Sequence, residues 1–153
     1  MHNIVISDTS CLIIFNKIGQ LEILQKVYDN VITTPEVAEE FSEILPDWII
    51  IKEVQDKKYQ EFLETQIDYG EASAIALAKE IDNSLLLLDD LKARKLAGKL
   101  NLRFTGTLGV ITKAKQIGVI RAVRPIIDSL LLTDFRISEN VIDELLKLNN
   151  ENT

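Results

Sequence analysis

The sequence predicts a three-layer α/β fold, with helices on both faces of a mostly parallel central sheet. Short apolar runs alternate along the chain with segments of helical periodicity, a pattern typical of successive βα units. The chain has 153 residues, 46% of them apolar, and shows no internal repeat or linker. Because a chain of this length buries about two thirds of its unfolded surface, we predict a single domain over residues 1–153.

The N-terminal part of the chain predicts three strands and four helices. The strands are short aliphatic runs, with the last at the edge of the sheet: residues 4–6, 31–32 and 48–51. Gly19 divides the first helical stretch, 12–27, into two helices. Thr34 is predicted to cap a helix over 35–44, because Pro35 then takes the first helical position and Pro46 lies beyond its end. A polar surface helix follows at 56–65.

The C-terminal part predicts two strands and five helices. Leu85 to Leu88 is the most apolar strand, and residues 102–104 form a second one. The helix over 71–79 is rich in alanine, which allows close packing on the sheet. The remaining helices are predicted from their apolar spacing: 91–97, 108–116, 122–132 and 138–148. Residues 149–153 are predicted to fray.

The composition excludes several classes of protein. A single cysteine, Cys11, allows no internal disulfide, and Cys11 with the one histidine, His2, cannot form a Cys/His zinc site. We place Cys11 in the core and expect any bound metal to be held by oxygen. The apolar runs are too short to span a bilayer, and Met1 to Asn3 lacks the basic start of a signal peptide. We therefore predict a cytoplasmic protein without membrane contact. The sequence contains neither a Gly-x-x-x-x-Gly-Lys phosphate-binding loop nor the Gly-x-Gly-x-x-Gly motif of dinucleotide-binding proteins.

The net charge of −7 hides an uneven distribution of charge. Residues 91–124 carry nine basic residues and no acidic one, directly after Asp89 and Asp90. Such a segment is typical of a solvated helix face, but it can also produce a positive field beside a cluster of carboxylates. Either interpretation is consistent with the residues alone.

Two strands end in aspartate. Asp8 follows the first strand, and Asp89 and Asp90 follow the most apolar one. If these strands are neighbours in a parallel sheet, their carboxylates converge at one edge, where functional groups gather in α/β folds. Aspartate after a strand is also a common helix cap, and capping is about equally compatible with each of these residues.

Two glutamates are weaker candidates on local grounds. On the predicted helix 35–44, Val37, Phe41 and Ile44 form the buried stripe, and Glu40 is the acid closest to it, whereas Glu36, Glu39 and Glu43 point further away. Periodicity alone favours a solvated surface glutamate as the explanation of Glu40. Asp68 and Glu71 have the spacing of a capping box, so Glu71 also has a structural explanation.

Four segments together resemble the PIN-domain family. They are Ile4-Val5-Ile6-Ser7-Asp8-Thr9-Ser10, Thr34-Pro35-Glu36-Val37-Ala38-Glu39-Glu40-Phe41, Gly70-Glu71-Ala72-Ser73-Ala74-Ile75-Ala76-Leu77-Ala78 and Leu87-Leu88-Asp89-Asp90. The resemblance covers about residues 3–120 and looks closest to a prokaryotic branch related to the VapC-type toxins of toxin–antitoxin pairs. The C-terminal helices over 122–148 lie beyond it.

The resemblance implies a metal-dependent ribonuclease that leaves a 5′-phosphate, a role as a toxin, and Mg²⁺ or Mn²⁺ held by acids at the carboxyl edge of the sheet. It carries the catalytic and metal-binding roles onto Asp8, Glu40, Glu71 and Asp90, with Asp89 as an accessory ligand. Clustered carboxylates repel one another unless a hard cation neutralises them. The expected contacts to RNA phosphates are Thr9, Ser10, Lys92, Arg94, Lys95 and Thr107.

The expected partners are RNA, a small antitoxin protein and a second copy of the chain. Two alternatives stay open at this point: a PIN-like RNA- or protein-binding regulatory module with little catalysis, and another Mg²⁺-dependent phosphohydrolase or receiver-like α/β protein. The second is disfavoured because no acid stands two residues after Asp8. Fold alone does not decide between activity and binding.

Overall fold

The computed structural model describes residues 4–151, and within them five parallel strands form one sheet. The strands are β1 (Ile4–Ser7), β2 (Asn30–Thr33), β3 (Ile49–Ile51), β4 (Ser84–Leu87) and β5 (Phe104–Thr105). Their order across the sheet is β3-β2-β1-β4-β5, and every pairing is parallel. The α/β prediction with β3 at an edge is confirmed. His2 and the last two residues of the segment expected to fray lie outside the described residues.

Helices connect the strands and cover the sheet. They are α1 (Thr9–Lys17), α2 (Glu22–Val27), α3 (Pro35–Phe41), α4 (Lys57–Glu64), α5 (Tyr69–Glu80), α6 (Leu91–Lys99), α7 (Thr107–Gln116), α8 (Arg124–Leu131) and α9 (Glu139–Leu148). Over residues 4–151, none of these helices combines the length and the apolar content that crossing a membrane requires.

Alternate residues of the strands point to opposite faces and build two apolar layers. Val5 and Leu87 belong to a core shared with residues of α1, α2, α7, α8 and α9. Ile6 and Leu86 belong to a second core, shared with α4, α5 and α6. All four side chains are fully buried. The central strands are therefore apolar on both faces, as parallel strands between helices require.

The pairing of β1 with β4 determines where the aspartates lie. Ser7 is opposite Leu87, and the backbone N–H of Asp8 donates to the carbonyl of Leu87 at 3.2 Å. The chain therefore leaves both strands at the same carboxyl edge. Asp8 begins the turn into α1, and Asp89 and Asp90 form the turn into α6.

The predicted end of α3 is wrong. The helix ends at Phe41, because Ser42 adopts a left-handed conformation with φ of 65°. Ile44, expected in the buried stripe of this helix, is 98% exposed. Other boundaries move by one to three residues. For example, α1 begins at Thr9, the last strand is Phe104–Thr105 and α7 begins at Thr107.

The chain does not fray directly after α9. Asn149 is buried, and Glu151 lies 2.6 Å from the ammonium group of Lys115. The Glu151 carboxylate also accepts the backbone N–H groups of Val123 and Arg124 at the start of α8, at 2.7 and 3.1 Å. Residues 149–151 are thus attached to α7 and α8 by charge-assisted hydrogen bonds.

Candidate functional site

Asp8 caps α1 and is fully buried. Its Oδ1 atom accepts the backbone N–H of Cys11 at 3.0 Å and caps α1. Its Oδ2 atom is buried and has no hydrogen-bond partner within the described residues. Leaving a carboxylate oxygen unpaired in the interior costs free energy. The cap therefore uses only one of the two oxygens of Asp8 and leaves the other without a partner among the described residues.

Burial raises the pKa of the Asp8 carboxyl from 3.8 to about 7. The N–H of Cys11 opposes this shift, while the negative charges of Asp89 and Glu71 add to it. Burial likewise raises the pKa of Glu71 from 4.5 to about 7, with the charges of Asp90 and Asp68 as further causes. Two carboxyl groups thus have pKa values near neutrality, mainly because they are buried and in addition because other acids lie close to them.

Glu71 and Asp90 extend the cluster along this edge. Asp90 caps α6, since its Oδ2 atom accepts the N–H of Ala93 at 2.9 Å, and its side chain is exposed. The capping box predicted at α5 is half formed. The Glu71 carboxylate interacts with the backbone N–H of Asp68, but the Asp68 side chain makes no capping hydrogen bond. The Asp68 side chain instead lines the acidic cavity beside Asp8, which its position before α5 did not indicate.

Glu40 reaches the site from α3. The Thr9 hydroxyl donates to its Oε1 atom at 2.5 Å, and Gly70 provides the space for this contact. A Cβ atom at Gly70 would overlap with Glu40 Oε1 and lie 2.6 Å from Thr9 Oγ1. A glycine at the start of α5 is therefore required for this close approach. The Thr9 hydroxyl, expected to contact RNA, is engaged with Glu40, whereas Ser10 is exposed.

The prediction that Glu40 is the most buried acid of α3 is wrong. Glu36 is only 6% exposed, and its carboxylate accepts the side-chain amide of Gln60 at 2.5 Å and lies 3.7 Å from the Lys57 ammonium group. Helix α4 covers this face of α3, and helical periodicity cannot show which neighbour covers a face. Glu40 itself is exposed.

Asp89 is held rigidly beside Asp8. Its Oδ1 atom accepts the backbone N–H of Thr107 at 2.9 Å, and its Oδ2 atom accepts the Thr107 hydroxyl at 2.6 Å. The Cys11 thiol donates to the same Oδ2 atom at 3.4 Å, and the Arg94 guanidinium lies 3.9 Å from Oδ1. Cys11 is fully buried, so its placement in the core is confirmed. Nothing in the sequence indicates its contact with Asp89.

Thr107 is buried and hydrogen-bonded to Asp89. Its side chain is fully buried, so its hydroxyl orients Asp89 and cannot meet an RNA phosphate, contrary to the expectation from the resemblance. Lys92 and Lys95 are exposed on α6. Arg94 is half-buried, donates from Nε to the carbonyl of Leu88 at 2.6 Å and lies over the ring of Phe104.

The acids share one edge of the sheet but do not form a finished metal cage. Glu71 lines two neighbouring cavities, one with Asp8 and Glu40 and the other with Asp90 and Lys92. Across residues 4–151, no group of three or more His, Cys, Asp or Glu side chains is arranged to hold a metal ion. The predicted convergence at one edge is therefore seen, whereas a closed ligand set is not.

The raised pKa values predict how stability depends on pH. Between about pH 4 and pH 7 the folded protein retains protons on Asp8 and Glu71 that the unfolded chain has lost. The protonation of these two groups in the folded state contributes to the free energy of unfolding. This contribution falls as the pH rises and is lost above about pH 7. For Asp8 it is on the order of 2–4 kcal/mol.

Asp8→Asn removes the titration and retains an oxygen for the cap. We expect the variant to gain stability over the wild type as the pH is raised from 5 to 8 in EDTA, measured by urea denaturation. A difference in stability that stays constant over this range would contradict the assignment of the raised pKa to Asp8.

A comparison with known families agrees with this arrangement. The model of a family described as PIN domain matches residues 4–151. No curated protein matches the chain. The match extends past the four motifs and includes both C-terminal helices.

Proposed function

The chain belongs to the PIN-domain family, and we propose that it is a metal-dependent endoribonuclease whose site is the acidic edge of the sheet. The observation that carries this proposal is the unpartnered, buried Oδ2 atom of Asp8 among other carboxylates. A fold does not retain such an oxygen for stability, because it raises the free energy of the folded state. A cation would satisfy it.

The side chains present suit Mg²⁺ or Mn²⁺, which prefer carboxylate oxygens. Asp8, Glu40, Glu71 and Asp90 would hold the ion, with Asp89 beside them. When bound, such an ion lowers the pKa of a water molecule and balances charge on a phosphodiester. The support for this assignment is the donor set and the raised pKa values of Asp8 and Glu71.

The residues around the acids have separate tasks. Strand β1 and the Cys11 N–H fix Asp8, and Thr107 fixes Asp89, so both carboxylates are oriented before substrate binds. Thr9 orients Glu40 through its hydroxyl. Lys92, exposed on the first turn of α6, lines a cavity with Glu71 and is suited to a phosphate oxygen.

The test is cleavage of a mixed pool of single-stranded RNA with Mn²⁺, with Mg²⁺ and with EDTA. We expect cleavage that depends on the metal and products that carry a 5′-phosphate. Cleavage unchanged by EDTA would contradict the proposal. The same experiment with DNA of equal length tests the choice of RNA.

A second candidate is a PIN-like binding module without catalysis. One observation favours it: the described acids do not form a group arranged to hold a metal ion. In this case RNA binding, measured by fluorescence anisotropy, would be unchanged by Asp8→Asn, and no RNA of the pool would be cut under any metal condition.

We extend the proposal to the toxin of a VapC-like toxin–antitoxin pair. The support is the resemblance of the four motifs to that branch. A homodimer is supported by the edge strand β3, on which Ile50 and Ile51 are 47% and 51% exposed. Expression should then arrest growth, co-expression of a small protein encoded beside this chain should relieve it, and the purified protein should have the mass of a dimer.

A further inference from the structure

A further cavity, separate from the two that Glu71 lines, has Asp89 in its wall. It has a volume of about 490 Å³, within the range of sites for small molecules and single nucleotides. Asp89 forms part of its wall, so its contents would lie beside the acids. The side chains that give it its chemistry are Arg94, Phe104, Phe135 and Arg136.

The charge of this cavity is opposite to that of the acidic one. Two guanidinium groups, of Arg94 and Arg136, face it together with the single carboxylate of Asp89. The neighbouring cavity at Asp8 is lined by four acids and no base. An anionic polymer would therefore be attracted to the acids from the side of α6 and β5 and repelled on the side of α3 and α5.

Arg136 is available for a ligand. It lies in the connection between α8 and α9, its side chain is exposed, and within residues 4–151 it makes no ion pair or side-chain hydrogen bond. Arg94, in contrast, is bound to the Leu88 carbonyl and close to Asp89. A free guanidinium group is well suited to a phosphate, because its donors form a planar fork.

Two aromatic rings complete the cavity. Phe104 is 36% exposed and carries the Arg94 guanidinium 5.3 Å from its centroid, and Phe135 is half-buried against the main core. Aromatic rings combined with basic groups are typical of proteins that bind single-stranded nucleic acid, in which bases stack on the rings. Both apolar and anionic parts of a nucleotide thus find suitable contacts.

We propose that this cavity binds the nucleotide of an RNA substrate next to the bond that is cut, with Arg136 contacting its phosphate and Phe104 its base. The inference rests on the proposed ribonuclease function and names the residues that position its substrate. Arg136 lies outside both the basic segment 91–124 and the four motifs, so no sequence pattern singles it out.

The test is binding of a fluorescently labelled, single-stranded RNA in EDTA, measured by anisotropy over a range of salt concentrations. Arg136→Ala should weaken binding by about five- to tenfold and reduce the steepness of the log–log salt dependence by about 0.7, the value for one phosphate contact on a single strand. Arg136→Lys should retain most of the salt dependence. Phe104→Leu should weaken binding by about fivefold or more at every salt concentration.

Matched controls are Arg121→Ala and Phe62→Leu, which change exposed residues that line neither cavity. The inference is overturned if Arg136→Ala binds as the wild type does, or if Arg121→Ala weakens binding equally. The wild-type cleavage assay distinguishes this failure from failure of the proposed function. If the wild type cleaves RNA only with metal and Arg136→Ala binds RNA as the wild type does, only the proposed role of the cavity is contradicted. Thermal unfolding of each variant checks that the fold is retained.

Discussion

Asp8→Asn should reduce metal-dependent RNA cleavage by at least about a hundredfold, the effect typical of removing one preorganised electrostatic group from an active site. The substitution retains an oxygen that can accept the Cys11 N–H, so the cap of α1 survives. It removes the negative charge from a buried carboxylate whose Oδ2 atom has no hydrogen-bond partner among the described residues. Initial cleavage rates at saturating Mn²⁺, with the fold checked by circular dichroism, measure the effect.

Asp47→Asn is the matched control for this substitution. Asp47 is exposed and precedes β3, so it lies at the amino end of a strand, on the opposite edge of the sheet from Asp8. We expect the Asp47→Asn variant to cleave RNA at the same rate as the wild type. If Asp8→Asn and Asp47→Asn cleave equally fast, the acidic edge is not the active site.

Gly70→Ala should lower cleavage by about tenfold or more with little loss of stability. The added methyl group would occupy the space of Glu40 Oε1 and crowd Thr9 Oγ1, so the contact between these two side chains must break. Small displacements of catalytic groups have large effects on rate. The fold should tolerate the change, because the exposed end of the Glu40 side chain can move away from the new methyl group, and alanine favours a helix by about 1 kcal/mol over glycine.

Gly98→Ala provides the comparison for this prediction. Gly98 also lies in a helix, but an added Cβ there meets nothing within 4 Å. Its variant should gain stability in urea denaturation and cleave at the wild-type rate. Equal cleavage by Gly70→Ala and Gly98→Ala would show that the Thr9–Glu40 contact does not contribute to activity.

The fold and part of the site follow from local patterns. Runs such as Leu85 to Leu88 identify buried parallel strands, and parallel strands place the residues that follow them at one edge. The local pattern leaves open whether these strands are neighbours, and the observed pairing of β1 with β4 brings Asp8 and Asp89 together. Capping does not exclude the proposed function of Asp8, because the cap uses Oδ1 and leaves Oδ2 without a partner among the described residues.

The other features of the site depend on long-range packing, which local sequence patterns do not indicate. Thr107 is 18 residues from Asp89 in sequence, yet both its hydroxyl and its N–H group orient that carboxylate. Helical periodicity favours Glu40 over Glu36 as the buried acid, and the docking of α4 reverses that order. The free guanidinium group of Arg136 becomes notable only because its cavity shares a wall with Asp89.

The central claim is that the acids at this edge bind a divalent cation, and it can be tested without knowing the RNA target. Isothermal titration of Mn²⁺ into the purified protein at pH 7 should show binding accompanied by proton release, because the pKa values of Asp8 and Glu71 are about 7. Asp8→Asn should weaken binding by at least about tenfold and reduce the protons released. Equal Mn²⁺ binding by the wild type and Asp8→Asn, or none by either at millimolar Mn²⁺, would contradict the account.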